Sequence, residues 1–217
     1  MFLKFFTNMT AKITFIVGSP RKKRSCNFLI EKAIEGVKSE LDDVEINKIY
    51  AADFNITPCN GCDQCLRDPY ECPLSENDDM PQLEDSLLDS DALLIASPSY
   101  FGSVSTQLKV IIDRSRPWKM NNYQLKNMIC APLVAIGTRN DAAGGVISDI
   151  INFGLIQGMI VVGALGNPVL EQNIPITSLQ KYGRKEFLGK DETDELGGIV
   201  AHNLGKRIAN LLKTMKK

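Results

Sequence analysis

Short apolar runs alternate with stretches of helical periodicity along this chain, and that alternation limits the possible folds more than any other feature. The runs are residues 12–17 (KITFIV), 44–50 (VEINKIY), 92–97 (ALLIAS), 131–136 (APLVAI) and 159–163 (MIVVG). The first, third and fourth are almost continuously apolar, as strands covered on both faces are. The second partly alternates and reads as lying nearer an edge. After the first run, Phe28, Leu29, Ala33, Val37 and Leu41 recur at helical spacing. Met80, Leu83, Leu87 and Leu88 give a second helix its buried face, with Pro81 just inside its start. Further helices are expected at about 105–116, at 146–157 and from Asp191 to the end. Strand followed by helix, five times over, predicts an α/β fold with a five-stranded parallel sheet, right-handed crossovers and helices on both faces.

For 217 residues, 44% apolar and 24% charged, a single domain at 1–217 is the expectation. The net charge of −1 gives no general pull toward nucleic acid or an anionic membrane. No apolar run approaches the ~20 residues that span a bilayer. The start, residues 1–6, is apolar but too short for a signal sequence. The first strand begins only at Lys12, so Met9 is an alternative start to Met1. The chain reads as cytoplasmic, where thiols stay reduced. A single histidine, His202, argues against His-based triads and His-rich metal sites, and it reads as an ordinary helix residue. Residues 118–127 read as a polar connection. The stretch at about 167–190 has no sustained period and is expected to be an extension, an excursion or an oligomer contact.

In a parallel sheet of this kind, ligands sit beyond the carboxyl ends of the strands. Three loops open there. The first, after strand one, carries Ser19, Arg21, Ser25, Cys26 and Asn27, with Ser25 placed to cap the helix. Strand, polar loop and helix N-terminus together favour an anion. Neither G-x-G-x-x-G nor G-x-x-x-x-G-K-[ST] is present, which disfavours a dinucleotide site or P-loop at this position. The competing reading is a plain solvated basic turn. The second loop, Pro98-Ser99-Tyr100-Phe101-Gly102-Ser103, sets two aromatics beside a glycine, where backbone can approach a flat ligand; the alternative is that they pack on the chain's own core. The third carries Gly137, Thr138, Arg139, Gly144 and Gly145. Together the loops describe a cradle for a flat ring system with one phosphate, and FMN fits it.

Four of the six cysteines fall in one loop at about 57–75, as Cys59, Cys62, Cys65 and Cys72, with spacing C-x2-C-x2-C-x6-C and a final Cys-Pro. Three cysteines at every third position wrap a loop so that their sulfurs can converge on an inorganic cube, and a fourth arrives from a looser arm. Gly61 suits the sharp bend this needs. A four-cysteine zinc site is more often two pairs set well apart. A reduced compartment disfavours disulfides. Redox-active or inert thiols complete the alternatives. The loop follows strand two, so it opens on the same edge as the cradle. Cys130 begins a buried strand and reads as inert.

These residues resemble the iron–sulfur flavoprotein family, within the flavodoxin-like NAD(P)H-dependent FMN reductase group. The matching features are Gly18-Ser19-Pro20-Arg21, the four-cysteine run, Asp78-Asp79-Met80, residues 97–103, Leu108-Lys109 with Asp113-Arg114, and the loop 137–145. The resemblance covers nearly the whole chain from about Lys12. It implies a flavodoxin-like three-layer sandwich with strand order 2-1-3-4-5, FMN in the three loops, and a 4Fe-4S cluster on Cys59, Cys62, Cys65 and Cys72. It also implies a homodimer or homotetramer. Relatives often carry Asn-Thr or Asn-Ser near the end of the first loop, where this chain has Ser25-Cys26, and a thiol is the weaker donor. The expected activity is oxidoreduction. A ferredoxin-like donor would supply single electrons for the reduction of a quinone, oxygen or peroxide, with no catalytic side chain required. One alternative is an NAD(P)H-dependent FMN or quinone reductase with a structural cysteine loop. Another is a non-catalytic flavin-binding module stapled by zinc.

Overall fold

A computed structural model of the chain describes residues 10–139, 142–181, 183–189 and 192–215. The proposed starts at Met1 and Met9, and the expected final-helix start at Asp191, lie outside the described residues. The strands are β1 (Ala11–Val17), β2 (Val44–Tyr50), β3 (Ala92–Pro98), β4 (Ile129–Ile136), β5 (Ile160–Val161) and β6 (Ile176–Ser178). The helices are α1 (Ser25–Lys38), α2 (Met80–Leu88), α3 (Thr106–Arg114), α4 (Arg116–Met120), α5 (Ala143–Ile156) and α6 (Glu195–Met215). The sheet is parallel in the order β2-β1-β3-β4-β5, as the family resemblance implies.

Alternate residues of each central strand feed two cores, as a period of two requires. Ile13, Phe15, Val17, Leu94 and Leu133 pack with α1 and α6. Ile16, Leu93, Ile95, Cys130 and Val134 pack with α2, α3 and α5. Every residue of β3 and β4 is buried, whereas β2 is mostly half-exposed, in keeping with its alternating sequence and its edge position. Helices α1 and α6 meet backbone to backbone. A Cβ at Gly36 would lie 2.0 Å from the His202 carbonyl oxygen, and one at Gly205 would lie 2.0 Å from that of Ala33. His202 therefore marks a helix crossing.

Four local expectations shift. The stretch at 167–190 contributes β6, a sixth strand. β5 pairs only Ile129 and Cys130, and the chain then leaves the sheet and returns so that Ile176 pairs Val134 and Ser178 pairs Ile136. Two short segments share one edge of β4, and neither is long enough to show a period. The helix expected at 105–116 breaks at Ser115 and restarts as α4, with Pro117 in its first turn. Trp118, expected in a polar connection, is 1% exposed in the core under α2. Finally, Arg24 occupies the cap position of α1 and Ser25 is its first helical residue, while Gly144 and Gly145 fall in the first turn of α5.

Candidate functional site

The carboxyl edge of β1, β3 and β4 carries a cavity of about 140 Å³. Ser19, Arg21, Ser25, Cys26, Pro98, Ser99, Tyr100 and Gly137 line it, so the structure brings together eight residues from the three expected loops. Arg24, Ala135, Ile136 and Leu179 complete the wall. Arg24 lay inside a basic run that gave no reason to single it out. Leu179 arrives with β6, which had no sequence signal.

Hydrogen bonds lock the loops to one another. Ser105 donates to the Gly18 carbonyl, accepts from Leu108 N at 3.3 Å, and gives its own N–H to Ser97 Oγ at 3.1 Å. Ser19 is buried and its Oγ accepts from Arg21 N at 3.1 Å. The 98–103 turn sits against the start of α5, where a Cβ on Gly145 would fall 1.8 Å from the Gly102 carbonyl oxygen. Only glycine permits that approach.

This cavity fits a phosphate. No side chain caps α1 and its first turn holds no acid, so its leading N–H groups remain for an anion, with Arg21 and Arg24 beside them. Cys26 can offer an anion its backbone only. Its thiol is buried in the core, and burial, opposed by Arg21, pushes it up to about 12. The volume suits a phosphate and a short polyol arm. A three-ring system would lie on the rim, where Tyr100 is 38% exposed and Phe101 projects fully into solvent at φ 52°.

Other expected residues face elsewhere. Asn27 Oδ1 accepts from Tyr50 Oη at 2.9 Å and Lys48 Nζ at 3.4 Å, on the β2 side. Ser103 donates to Asp149 Oδ2 at 2.6 Å. Arg139 lies 3.6 Å from Asp194, and its N–H reaches Gln180 Oε1 at 3.1 Å. Thr138 is exposed, and Gly144 faces open space.

The cysteine loop departs from the end of β2 but is drawn toward the α3–α4 junction. Arg116 holds Asp63 at 2.6 Å, and Arg114 and Asp78 form a fully buried ion pair at 2.5 Å. The Asp63 and Gly61 backbones take positive φ values of 57° and 70°, giving the sharp bends expected of this segment. Cys59 and Cys62 are exposed, Cys65 and Cys72 half-buried, and all four are free thiols. Burial pushes the Cys65 thiol up, Arg116 opposes this, and Cys72 and Cys59 add to the rise. Cys59 and Cys72 are thus each within electrostatic reach of Cys65. Among the described residues, no three His, Cys, Asp or Glu side chains are gathered closely enough to hold a metal ion. The donor set, four unpaired thiols on one short loop, is the chemistry of a soft metal or an iron–sulfur cluster. Cys130 is fully buried, with its thiol pushed up to about 12 by burial.

The model of the NADPH-dependent FMN reductase family matches residues 11–167, which include the cysteine loop and every cradle residue but Leu179. An iron–sulfur flavoprotein of Methanocaldococcus jannaschii is 34% identical over 206 residues, 95% of this chain and 100% of that one. The chain belongs to the NADPH-dependent FMN reductase family, in its iron–sulfur flavoprotein branch. An iron–sulfur flavoprotein of Archaeoglobus fulgidus is 35% identical over 205 residues, 94% of this chain and 97% of its own. Among solved structures, a WrbA-like flavodoxin of Agrobacterium tumefaciens superposes with a TM-score of 0.57 at 13% identity, covering 94% of this chain and 97% of that one. An NADH:FMN oxidoreductase superposes with a TM-score of 0.59 at 18% identity, covering 93% and 90%. These likenesses establish the flavodoxin-like fold. As a family member the chain is a flavin-dependent oxidoreductase whose flavin is FMN. Among the described residues, no helix is long and apolar enough to cross a membrane.

Proposed function

We propose that this chain is an electron-transfer oxidoreductase that holds both FMN and a 4Fe-4S cluster. It would take single electrons from a ferredoxin-like donor and reduce a small acceptor such as a quinone, oxygen or peroxide. The observation that carries this reading is the set of four free thiols on one loop of a chain whose neighbouring strand ends form a cavity that fits the FMN phosphate. Relatives named iron–sulfur flavoproteins, matched across nearly their whole length, support it.

In this reading Cys59, Cys62, Cys65 and Cys72 hold the cluster. The N-terminus of α1, with Ser19, Arg21 and Ser25, holds the FMN phosphate, and Pro98, Ser99, Tyr100 and Gly137 hold the remainder. Phe101 and Gly102 form the rim of the ring site. When bound, the cluster supplies single electrons and the flavin one or two, which is the chemistry such a reaction needs. The protein's share is orientation, exclusion of water and tuning of potential. No side chain is assigned a catalytic proton. A homodimer or homotetramer belongs to the same reading, and exposed Leu155, Ile156, Leu165, Val169 and Leu170 offer apolar surface for it.

The family match favours a second reading, in which NAD(P)H reduces the flavin directly and the cysteine loop is structural. Stopped-flow reduction of the bound flavin separates the two. Fast reduction by reduced ferredoxin with slow reduction by NAD(P)H is expected, and the reverse order would favour the second reading.

A further inference from the structure

The two ends of the cysteine loop meet on one buried side chain. Arg114, the last residue of α3, donates from Nη1 to the Thr57 carbonyl at 2.6 Å and to Asp78 Oδ2 at 2.5 Å. Its Nη2 donates to Ser75 Oγ at 3.0 Å. Asp78 accepts in turn from Thr57 N and from Met80 N, each at 3.0 Å. Thr57 precedes the first loop cysteine, and Ser75 and Asp78 follow the last. One guanidinium therefore joins both flanks of the four-cysteine segment.

One donor of this group is unused. Arg114 Nε is buried and finds no acceptor among the described residues. A buried N–H without a partner calls for an explanation. Arg114 lines a cavity of about 750 Å³ together with Cys72 and Ser75. Once the loop's cysteines ligate a metal as thiolates, the acceptor such a donor would serve is sulfur. An N–H on sulfur stabilises the added charge of the reduced state and so raises the reduction potential.

We propose that Arg114 is a positioning residue for the metal site: its Nη atoms clasp the two ends of the cysteine loop, and its Nε–H serves sulfur at that site. The second half rests on the iron–sulfur reading above. The clasp stands without it.

The clasp is tested on metal-free protein by amide exchange in Arg114→Lys, which keeps the charge but cannot span three acceptors. The Thr57 and Met80 amides are expected to exchange at least tenfold faster while those of β1 and β3 stay unchanged. Equal exchange at Thr57 and Met80 would overturn the clasp. The Nε assignment is tested by spectroelectrochemistry of the reconstituted protein. Arg114→Lys is expected to shift the cluster's redox equilibrium tenfold toward the oxidised form, about 59 mV for a one-electron couple. Ser75→Ala loosens the clasp but keeps Nε, and is expected to leave the potential alone. An unchanged potential in Arg114→Lys at full iron content, or an equal shift in Ser75→Ala, would overturn the assignment. Wild-type protein labelled with 15N-arginine gives the same test without a substitution. Pulsed EPR of the reduced cluster is expected to show hyperfine coupling to Nε, and its absence would count against the proposal. Protein that takes up no iron and sulfide contradicts the iron–sulfur reading and the Nε assignment together, whereas the exchange arm still decides the clasp.

Discussion

Around the proposed FMN cradle the backbone is held from several sides, by Ser105 on Gly18, by Ser97 on Ser105, and by Gly102 against Gly145. The cysteine loop, leaving the same edge of the sheet one strand away, is held at its base by Arg114 and at its bend by Arg116 on Asp63, and two of its thiols stand in solvent. The cradle is formed by the ends of buried strands, so packing fixes its shape before any ligand arrives. The loop has no core of its own, and on the proposed reading its sulfurs would be gathered by what they bind. On the proposed reading, the same edge carries one preformed site and one that its ligand would complete.

The largest expected effect separates the two regions. Cys62→Ala should abolish the iron content and the cluster absorption of reconstituted protein while FMN stays bound. An unchanged iron content would break the assignment of the loop. Gly145→Ala should do the opposite. Its new methyl group must displace the Gly102 carbonyl, which we expect to cost about 1–3 kcal/mol and to weaken FMN binding, with iron uptake retained. Thermal unfolding and FMN titration check this.

A smaller effect follows from Asp78. Burial would raise its pKa, but the Arg114 hydrogen bond and the N–H groups of Met80 and Thr57 outweigh burial and hold it below the usual carboxylate range. A pKa depressed on folding gives stability that is present above the unfolded value, about 3.9, and lost as pH falls through the folded one. Protection of the Thr57 and Met80 amides, corrected for intrinsic exchange, should therefore persist down to about pH 4 and decline progressively below it, as pH falls through the folded value. Asp78→Asn should lose protection at all pH values and show no such step. The smallest effect on the fold is expected for Phe101→Ala. That side chain touches only solvent, so stability should stay within about 0.5 kcal/mol while the fluorescence and release rate of bound FMN change.

Much of this was legible in the sequence because strands buried on both faces leave long apolar runs. Ile13, Phe15, Leu94 and Leu133 announced the central sheet, and the loops that follow such strands must open on one edge. The cysteine spacing was equally direct. What stayed hidden depended on pairing over distance. Ile176–Ser178 is too short for a period and is a strand only because β5 leaves most of that edge of β4 unpaired. Leu179 reaches the cradle by the same route. Asn27 and Arg139 had the right chemistry in the right loops, but nearby partners, Tyr50 and Asp194, turn them aside. Arg114 read as part of a helix motif, and its burial against Asp78 could not be inferred from either residue alone.

The most direct test of the two-site account is the iron, acid-labile sulfide, zinc and FMN content of anaerobically purified protein, read with its visible spectrum. About four iron, about four sulfide and about one FMN per chain are expected. FMN without iron or sulfide, even after reconstitution, would contradict the account and leave an NAD(P)H-dependent reductase, and stoichiometric zinc in their place would make the cysteine loop a structural staple.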